Sequence, residues 1–307
     1  MDEIQPYLHY LEIGELYLKV GEYNKAKDSF EKLTECKELE AMAHIKLASV
    51  QVILNHYKTA KEHFLRAIEI EKENYVVLYN YANFLIDVQE YPEAIENYQK
   101  ALELEPSLAL ANYNMGLAYT RLEKFEEAID CYNLSLKMNP DDFDCHFDLG
   151  ILYFETKQLK KSVVHFQKAL ELNPGSSKCY EYMAQCFIAT NQETIAMTLY
   201  KKALALSPED AVLYYKIGDL FLSQDKADEA IKYFDEALSL NAVDALLIYK
   251  RACSYASLGN NDEALKELSI AVEFNEVIKD LAIMEKSFEL LKENPKFKEI
   301  VKTTEKQ

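Results

Sequence analysis

The sequence predicts an all-α fold, an α-solenoid of tandem two-helix repeats closed by a C-terminal capping helix. Three observations predict it. Four prolines, Pro106, Pro140, Pro174 and Pro208, stand 34 residues apart. The same step runs without a gap through eight small residues: Gly14, Ala48, Ala82, Gly116, Gly150, Ala184, Gly218 and Ala252. It recurs at Ala26, Ala60, Ala94, Ala128, Ser162, Ala196, Ala230 and Ala264. A fixed period of this length marks a stacked array in which each unit packs only on its neighbours.

With the prolines at repeat position 32, the array spans 7–278 in eight units: 7–40, 41–74, 75–108, 109–142, 143–176, 177–210, 211–244 and 245–278. Each unit reads as two helices, A and B. In the fourth, Met115, Gly116 and Tyr119 form a stripe on helix A, and Ala128, Tyr132, Ser135 and Leu136 form one on helix B. Spacings of three and four are the helical signature. Small residues on both stripes let the axes approach, so Gly116 should accept Ala but not Leu.

The turn between helices falls at Gly21, Asn55, Gln89, Glu123, Lys157, Asn191, Asp225 and Gly259, where the chain must leave helix A through a left-handed residue. Pro92 opens the second helix of repeat 3, where a missing N–H costs nothing. Asn139-Pro140-Asp141-Asp142 and Ser207-Pro208-Glu209-Asp210 end one helix and supply acids to the positive end of the next.

Residues 279–307 break the register. Lys286 would fall at a small position, whereas Leu281, Met284, Phe288 and Leu291 make one apolar stripe. The pattern predicts a capping helix to about Glu293, ended by Pro295, then a short tail with Phe297 and Ile300.

Small residues at positions 8, 20 and 27, an aromatic at 24 and proline at 32 resemble the tetratricopeptide repeat family. Position 24 reads Phe30, Phe64, Tyr98, Tyr132, Phe166, Tyr200, Phe234 and Leu268. The resemblance covers 7–278 and implies a right-handed superhelix whose inner wall, lined by the A helices, binds protein segments. Its departures fall mainly at the ends, with Leu33 in repeat 1 and Arg251 and Leu268 in repeat 8. Terminal units are atypical because one side faces water.

Composition excludes several function classes. The net charge is −18 and arginine occurs only at 66, 121 and 251, so the basic stripe that nucleic acid needs is missing. Anionic membrane surfaces are disfavoured for the same reason. Six of the seven glycines sit in two phases of the repeat, and the P-loop and dinucleotide fingerprints are absent. No apolar run approaches the roughly 18 residues of a spanning helix, and Met1-Asp2-Glu3 lacks the basic start of a signal peptide. A cytoplasmic protein without membrane insertion is expected. The six cysteines include no CxxC pair and read as small buried hydrophobes. The six histidines include no HExxH motif, and His44 and His146 occupy position 4, a packing site. No catalytic residue, metal site or cofactor is expected.

Function is therefore sought on helix A. Positions 4, 7, 8 and 11 face helix B, so positions 2, 5, 6, 9 and 13 face the groove. Position 5 carries an aromatic ladder of Tyr79, Tyr113, Phe147, Tyr215 and Tyr249, with Tyr182 displaced by one place. Such rings offer contact area at low entropy cost, or else pack between adjacent A helices. Asn80, Asn83 and Asn114 cluster beside them; amides donate and accept, and so suit an extended peptide backbone. Leu117 and Ile151 add apolar wall, Asp148 an acid, and Lys216 and Lys250 bases. The family's clamp for chaperone tails surrounds an asparagine pair with basic residues. Asn83 and Asn114 match that pair, but Tyr79, Asp144 and Asp148 occupy the basic positions, which argues against that specificity. The expected partner is a protein or peptide segment with an apolar residue beside a basic one. The alternative is a scaffold that self-associates through its ends or convex face.

Overall fold

The computed structural model describes residues 4–240 and 244–302, and its regular elements there are all helical. Sixteen helices form the repeats. They are α1 (Gln5–Lys19), α2 (Tyr23–Leu33), α3 (Glu40–Ile53), α4 (Tyr57–Ile70), α5 (Tyr75–Asp87), α6 (Tyr91–Leu104), α7 (Ala109–Arg121) and α8 (Phe125–Met138), then α9 (Phe143–Glu155), α10 (Leu159–Leu172), α11 (Ser177–Ile188), α12 (Glu193–Leu206), α13 (Ala211–Ser223), α14 (Ala227–Leu240), α15 (Ala245–Ser257) and α16 (Asn261–Phe274). Odd helices are the A helices and even ones the B helices.

The chain divides into two compact units, residues 1–152 and 153–307. In the first, α1, α3, α5 and α7 each pack on the following B helix, and α2, α4 and α6 each pack on the next A helix. Direct contacts of α3 with α5 and of α5 with α7 set successive A helices side by side. In the second, α10 to α16 repeat this order, with α13 also touching α15.

The turns show how local sequence sets the repeat. All eight predicted positions lie in the left-handed region, from φ 57° at Asn191 and Asp225 to 79° at Gly21. Gln89, Glu123 and Lys157 adopt it without the glycine or asparagine that favours it, at a cost of about 1 kcal/mol each. The following N–H reaches back to the carbonyl of position 11 every time, as in Glu90 to Leu85 at 2.8 Å and Lys124 to Tyr119 at 2.9 Å. This six-to-one bond satisfies an orphan carbonyl and holds the bend whatever the side chain. Helix starts are capped as expected: the Asp142 carboxylate accepts from Cys145 N–H at 3.0 Å, and Asp210 from Val212 N–H at 3.0 Å.

The small positions seat the aromatic of position 24. A Cβ on Gly116 would lie 2.8 Å from Tyr132 Cε1, and one on Gly218 would lie 2.7 Å from Phe234 Cε1. Ala is therefore overpacked at Gly116, contrary to the sequence expectation, because Tyr132 leans into the space an alanine methyl would fill.

The C-terminal end also differs from expectation. Instead of one capping helix there are α17 (Ile278–Met284), a 3₁₀ turn (Lys286–Leu291) and α18 (Pro295–Ile300). Pro295 opens a helix rather than ending one, with Asn294 capping Lys296 N–H at 2.9 Å. The apolar stripe is split: Phe288 and Leu291 are buried, whereas Leu281 and Met284 are exposed. Ile278, Ala282 and Phe297 complete the cover over Leu265 and Leu268 of α16.

Candidate functional site

In the first unit the groove positions of α5, α7 and the start of α9 come together through a polar network. Asn114 Nδ2 donates to Asn83 Oδ1 at 2.9 Å and to Tyr79 OH at 3.3 Å. Tyr98 OH donates to the same Asn83 oxygen at 2.6 Å. The amides of Asn83 and Asn114 are thus partly spent on each other and are held rigid. Asn80 stands apart, its Nδ2 donating to Val76 O of its own helix at 2.7 Å.

The first rungs of the aromatic ladder rest on helix B of their own repeats rather than between adjacent A helices. Tyr79 packs 5.9 Å from Tyr98, and Tyr113 packs 5.8 Å from Tyr132, each resting on the position-24 ring of its own repeat. Both keep part of their surface in solvent. Phe147 stacks on Phe143 at 5.9 Å and is likewise half-buried, as are Leu117 and Ile151.

Asp148 is the exception on this wall. Its carboxylate is half-buried and accepts from Tyr113 OH at 2.7 Å. Among the described residues no ammonium or guanidinium pairs with it. Burial pushes its pKa above the ordinary aspartate value; Tyr113 and Arg121 pull it down, and Asp144 and Asp142 push it further up. An ionised acid in this position attracts a cation.

Position 2 holds residues the sequence reading passed over. Met42, Val76 and Leu110 are exposed, and Leu110 shows 54% of its surface. The period already gave these positions a groove-facing phase, so the signal was present but unread.

The second unit is different. Tyr182 stacks on Phe166 at 5.3 Å and meets Phe154 edge-on at 5.9 Å. Its displacement follows from Glu181, which is buried and bound by Lys178 at 2.8 Å and Lys216 at 3.7 Å. Lys250 meets Asp219 at 2.5 Å; burial pulls the ammonium down, but Asp219 outweighs it and raises the pKa. Both predicted bases are already paired within the chain. Tyr215 rests 6.3 Å from Phe234 and lines a notch of about 100 Å³ with Val212 and Leu246. Tyr249 is buried, its ring 6.2 Å from Phe288, so the capping turn removes it from the wall.

All six cysteines are buried and free. Among the described residues, no group of three or more His, Cys, Asp or Glu could hold a metal ion, and no helix is long and apolar enough to cross a membrane.

A search of curated proteins finds no match. Among solved structures the chain resembles YrrB, described as a TPR protein with an unusual peptide-binding site. The two share 27% identity over 60% of this chain and 95% of that one, with a TM-score of 0.53. The C-terminal part of a TPR repeat-containing protein from Cytophaga hutchinsonii shares the fold at a TM-score of 0.67 and 19% identity, over 78% of this chain and 98% of that one. A tetratricopeptide repeat protein from Parabacteroides merdae does so at 0.56 and 20%, over 81% and 99%. The model described as TPR repeat matches residues 82–123, and two described as tetratricopeptide repeat match 109–142 and 143–176, and 10–38, 42–74 and 211–244. These matches, the 34-residue period and the paired helices agree, and the chain belongs to the tetratricopeptide repeat family.

Proposed function

We propose that this protein is a non-enzymatic, cytoplasmic scaffold, and that the inner wall of repeats 3 to 5 takes an extended or helical segment of a partner protein. Asp148 carries the reading. It is a half-buried carboxylate with a tyrosine hydroxyl on one side and, among the described residues, no ammonium or guanidinium paired with it. A Lys or Arg of the partner completes it, and an apolar neighbour rests on Phe147, Leu117 and Leu110. The rigid Asn83–Asn114 pair and the outlying Asn80 offer remaining amide groups to the partner's backbone. A charge pair at this site contributes orientation and specificity more than affinity. The peptide-binding site in YrrB's description supports the class, and six buried free thiols suit a reducing compartment.

The test is a peptide array probed with the wild type, Asp148→Lys, and the double variant Asn80→Ala with Asn114→Ala. Asp148→Lys should reverse the preference from basic to acidic peptides. The asparagine variant should weaken all ligands by a similar factor, because backbone contacts ignore sequence. Identical profiles from the three proteins would rule this wall out.

One observation favours a second reading. Val277, Met284 and Leu290 at the C-terminal end are 62%, 84% and 94% exposed. Self-association through this end would cover them, and light scattering over a dilution series would show a mass that rises with concentration.

A further inference from the structure

Helices α3 and α4 meet at two histidines. His44 Nδ1 and His63 Nδ1 lie 2.9 Å apart, with ring centroids separated by 5.2 Å. Both rings are half-buried between the helices. At this distance one nitrogen donates and the other accepts, so the facing atoms hold one proton between them. A first added proton can go to the outer nitrogen of the donor ring and leave that bond intact. A second must go to the accepting nitrogen. Two donors then face each other, with a full positive charge on each ring.

The surroundings offer modest compensation. Glu40 of α3 acts on His44, and Glu62 of α4 and Glu31 of α2 act on His63, but Arg66 of α4 and Lys27 of α2 oppose them. Glu40 is itself engaged by Arg66 at 3.2 Å. Burial is the largest influence on both rings and pushes both below the ordinary histidine value.

We propose that repeat 2 is an acid-sensitive joint: when both facing nitrogens carry a proton the rings part, and the α3–α4 crossing loosens while α7 and α8 stay packed. The position gives this a consequence. α3 carries Lys46, whose ammonium binds Glu15 of α1 at 2.7 Å. Both α3 and α4 pack on α5, which carries Tyr79, Asn80 and Asn83. The joint therefore connects repeat 1 to the first strip of the inner wall. The sign follows from linkage. With both folded values below the unfolded one, the contribution is complete above the ordinary histidine value. It falls as pH drops below that value and levels out beneath the folded values.

The test is hydrogen exchange by mass spectrometry on the full chain at about pH 7.5 and about pH 5.5, either side of the ordinary value near 6.5. After correction for intrinsic rates, α3 and α4 should lose protection relative to α7 and α8 by up to about tenfold per ring, because the lower pH lies about one unit below the ordinary value. His44→Asn and His63→Gln should each shrink that step, and the double variant should abolish it. Should either variant fail to fold, the imidazole resonances of the wild type decide, and both should titrate below the ordinary value. Rings titrating at or above it, α3 and α4 as protected as α7 and α8 at the lower pH, or a step that is undiminished in the folded single variants or survives in the folded double variant would overturn the proposal.

Discussion

Replacing Gly116 with Ala places a methyl against the ring of Tyr132. The added carbon would sit 2.8 Å from Cε1, 2.9 Å from Cδ1 and 3.1 Å from Cζ. Carbon atoms rest at about 3.5–4.0 Å, so the ring must yield by close to 1 Å. It has little room, being 1% exposed and packed against Tyr113. Overpacking of this kind costs about 1–3 kcal/mol, while Ala regains about 1 kcal/mol of helix propensity over Gly. The expected net loss is about 1 kcal/mol, and Gly116→Leu should lose more because its extra atoms bring no extra propensity. Urea unfolding gives the total, and hydrogen exchange in α7 and α8 places it. A double-mutant cycle isolates the cause. Repeat 8 carries Ala252 with Leu268 at the ring position, both fully buried. In a Tyr132→Leu background, Gly116→Ala should therefore stabilise by about 1 kcal/mol. A wild-type background in which Gly116→Ala already stabilises by that amount would refute the clash. Because Tyr113 rests on Tyr132, the same substitution should also weaken peptide binding at the inner wall.

Asp148→Asn should raise the melting temperature at pH 7 and leave it unchanged near pH 3.5. A carboxyl whose folded pKa lies above its unfolded one costs stability once pH exceeds the unfolded value of about 4, and that cost disappears below it. For the same reason, affinity for a cationic peptide should begin to fall at a higher pH than an exposed aspartate would give, which calorimetry across pH 4–7 would read. Arg251 holds Glu267 at 2.7 Å and Asp235 at 2.6 Å, with 22% and 13% of the Arg251 and Glu267 side chains exposed. Arg251→Met leaves Glu267 unpaired and should cost about 1–3 kcal/mol, less than a fully buried pair would, read by thermal unfolding. Phe288→Ala should cost about 3–5 kcal/mol and let α15 and α16 exchange first, since its buried ring supports both Tyr249 and Phe297.

Most of the fold was legible because the repeat states each rule several times. Eight left-handed turns at one phase could be read from two glycines and three Asn or Asp residues. The Gln, Glu and Lys turns then followed by register, although none favours that backbone alone. The capping end was legible only as a break in period. It occurs once, so no second copy showed that Glu285 would leave the helix, at ψ 126°, and split the apolar stripe. The ease of Gly116→Ala was misjudged for a related reason. Ala occupies the same position in four other repeats, but the sequence does not show how far each ring leans into the gap.

The site was less legible because facing the groove and being free to bind are different properties. Position 6 supplies Lys46, Lys216 and Lys250, which find acids one repeat back at Glu15, Glu181 and Asp219. That pairing reaches across A helices and depends on which residue happens to stand about 31 to 35 places earlier. It converts three apparent ligand cations into ties between repeats. Asp148 occupies the same position with the opposite sign. One repeat back, Tyr113 and Asn114 offer it a hydroxyl but no charge, and the hydroxyl binds it at 2.7 Å. A hydrogen bond from a neutral donor offsets part of the desolvation of a carboxylate and leaves its charge uncompensated. The wall at repeats 3 to 5 thus keeps an electrostatic demand that Arg121 eases and no paired cation among the described residues meets. That residual demand, more than the ladder of rings around it, is what a partner segment can satisfy.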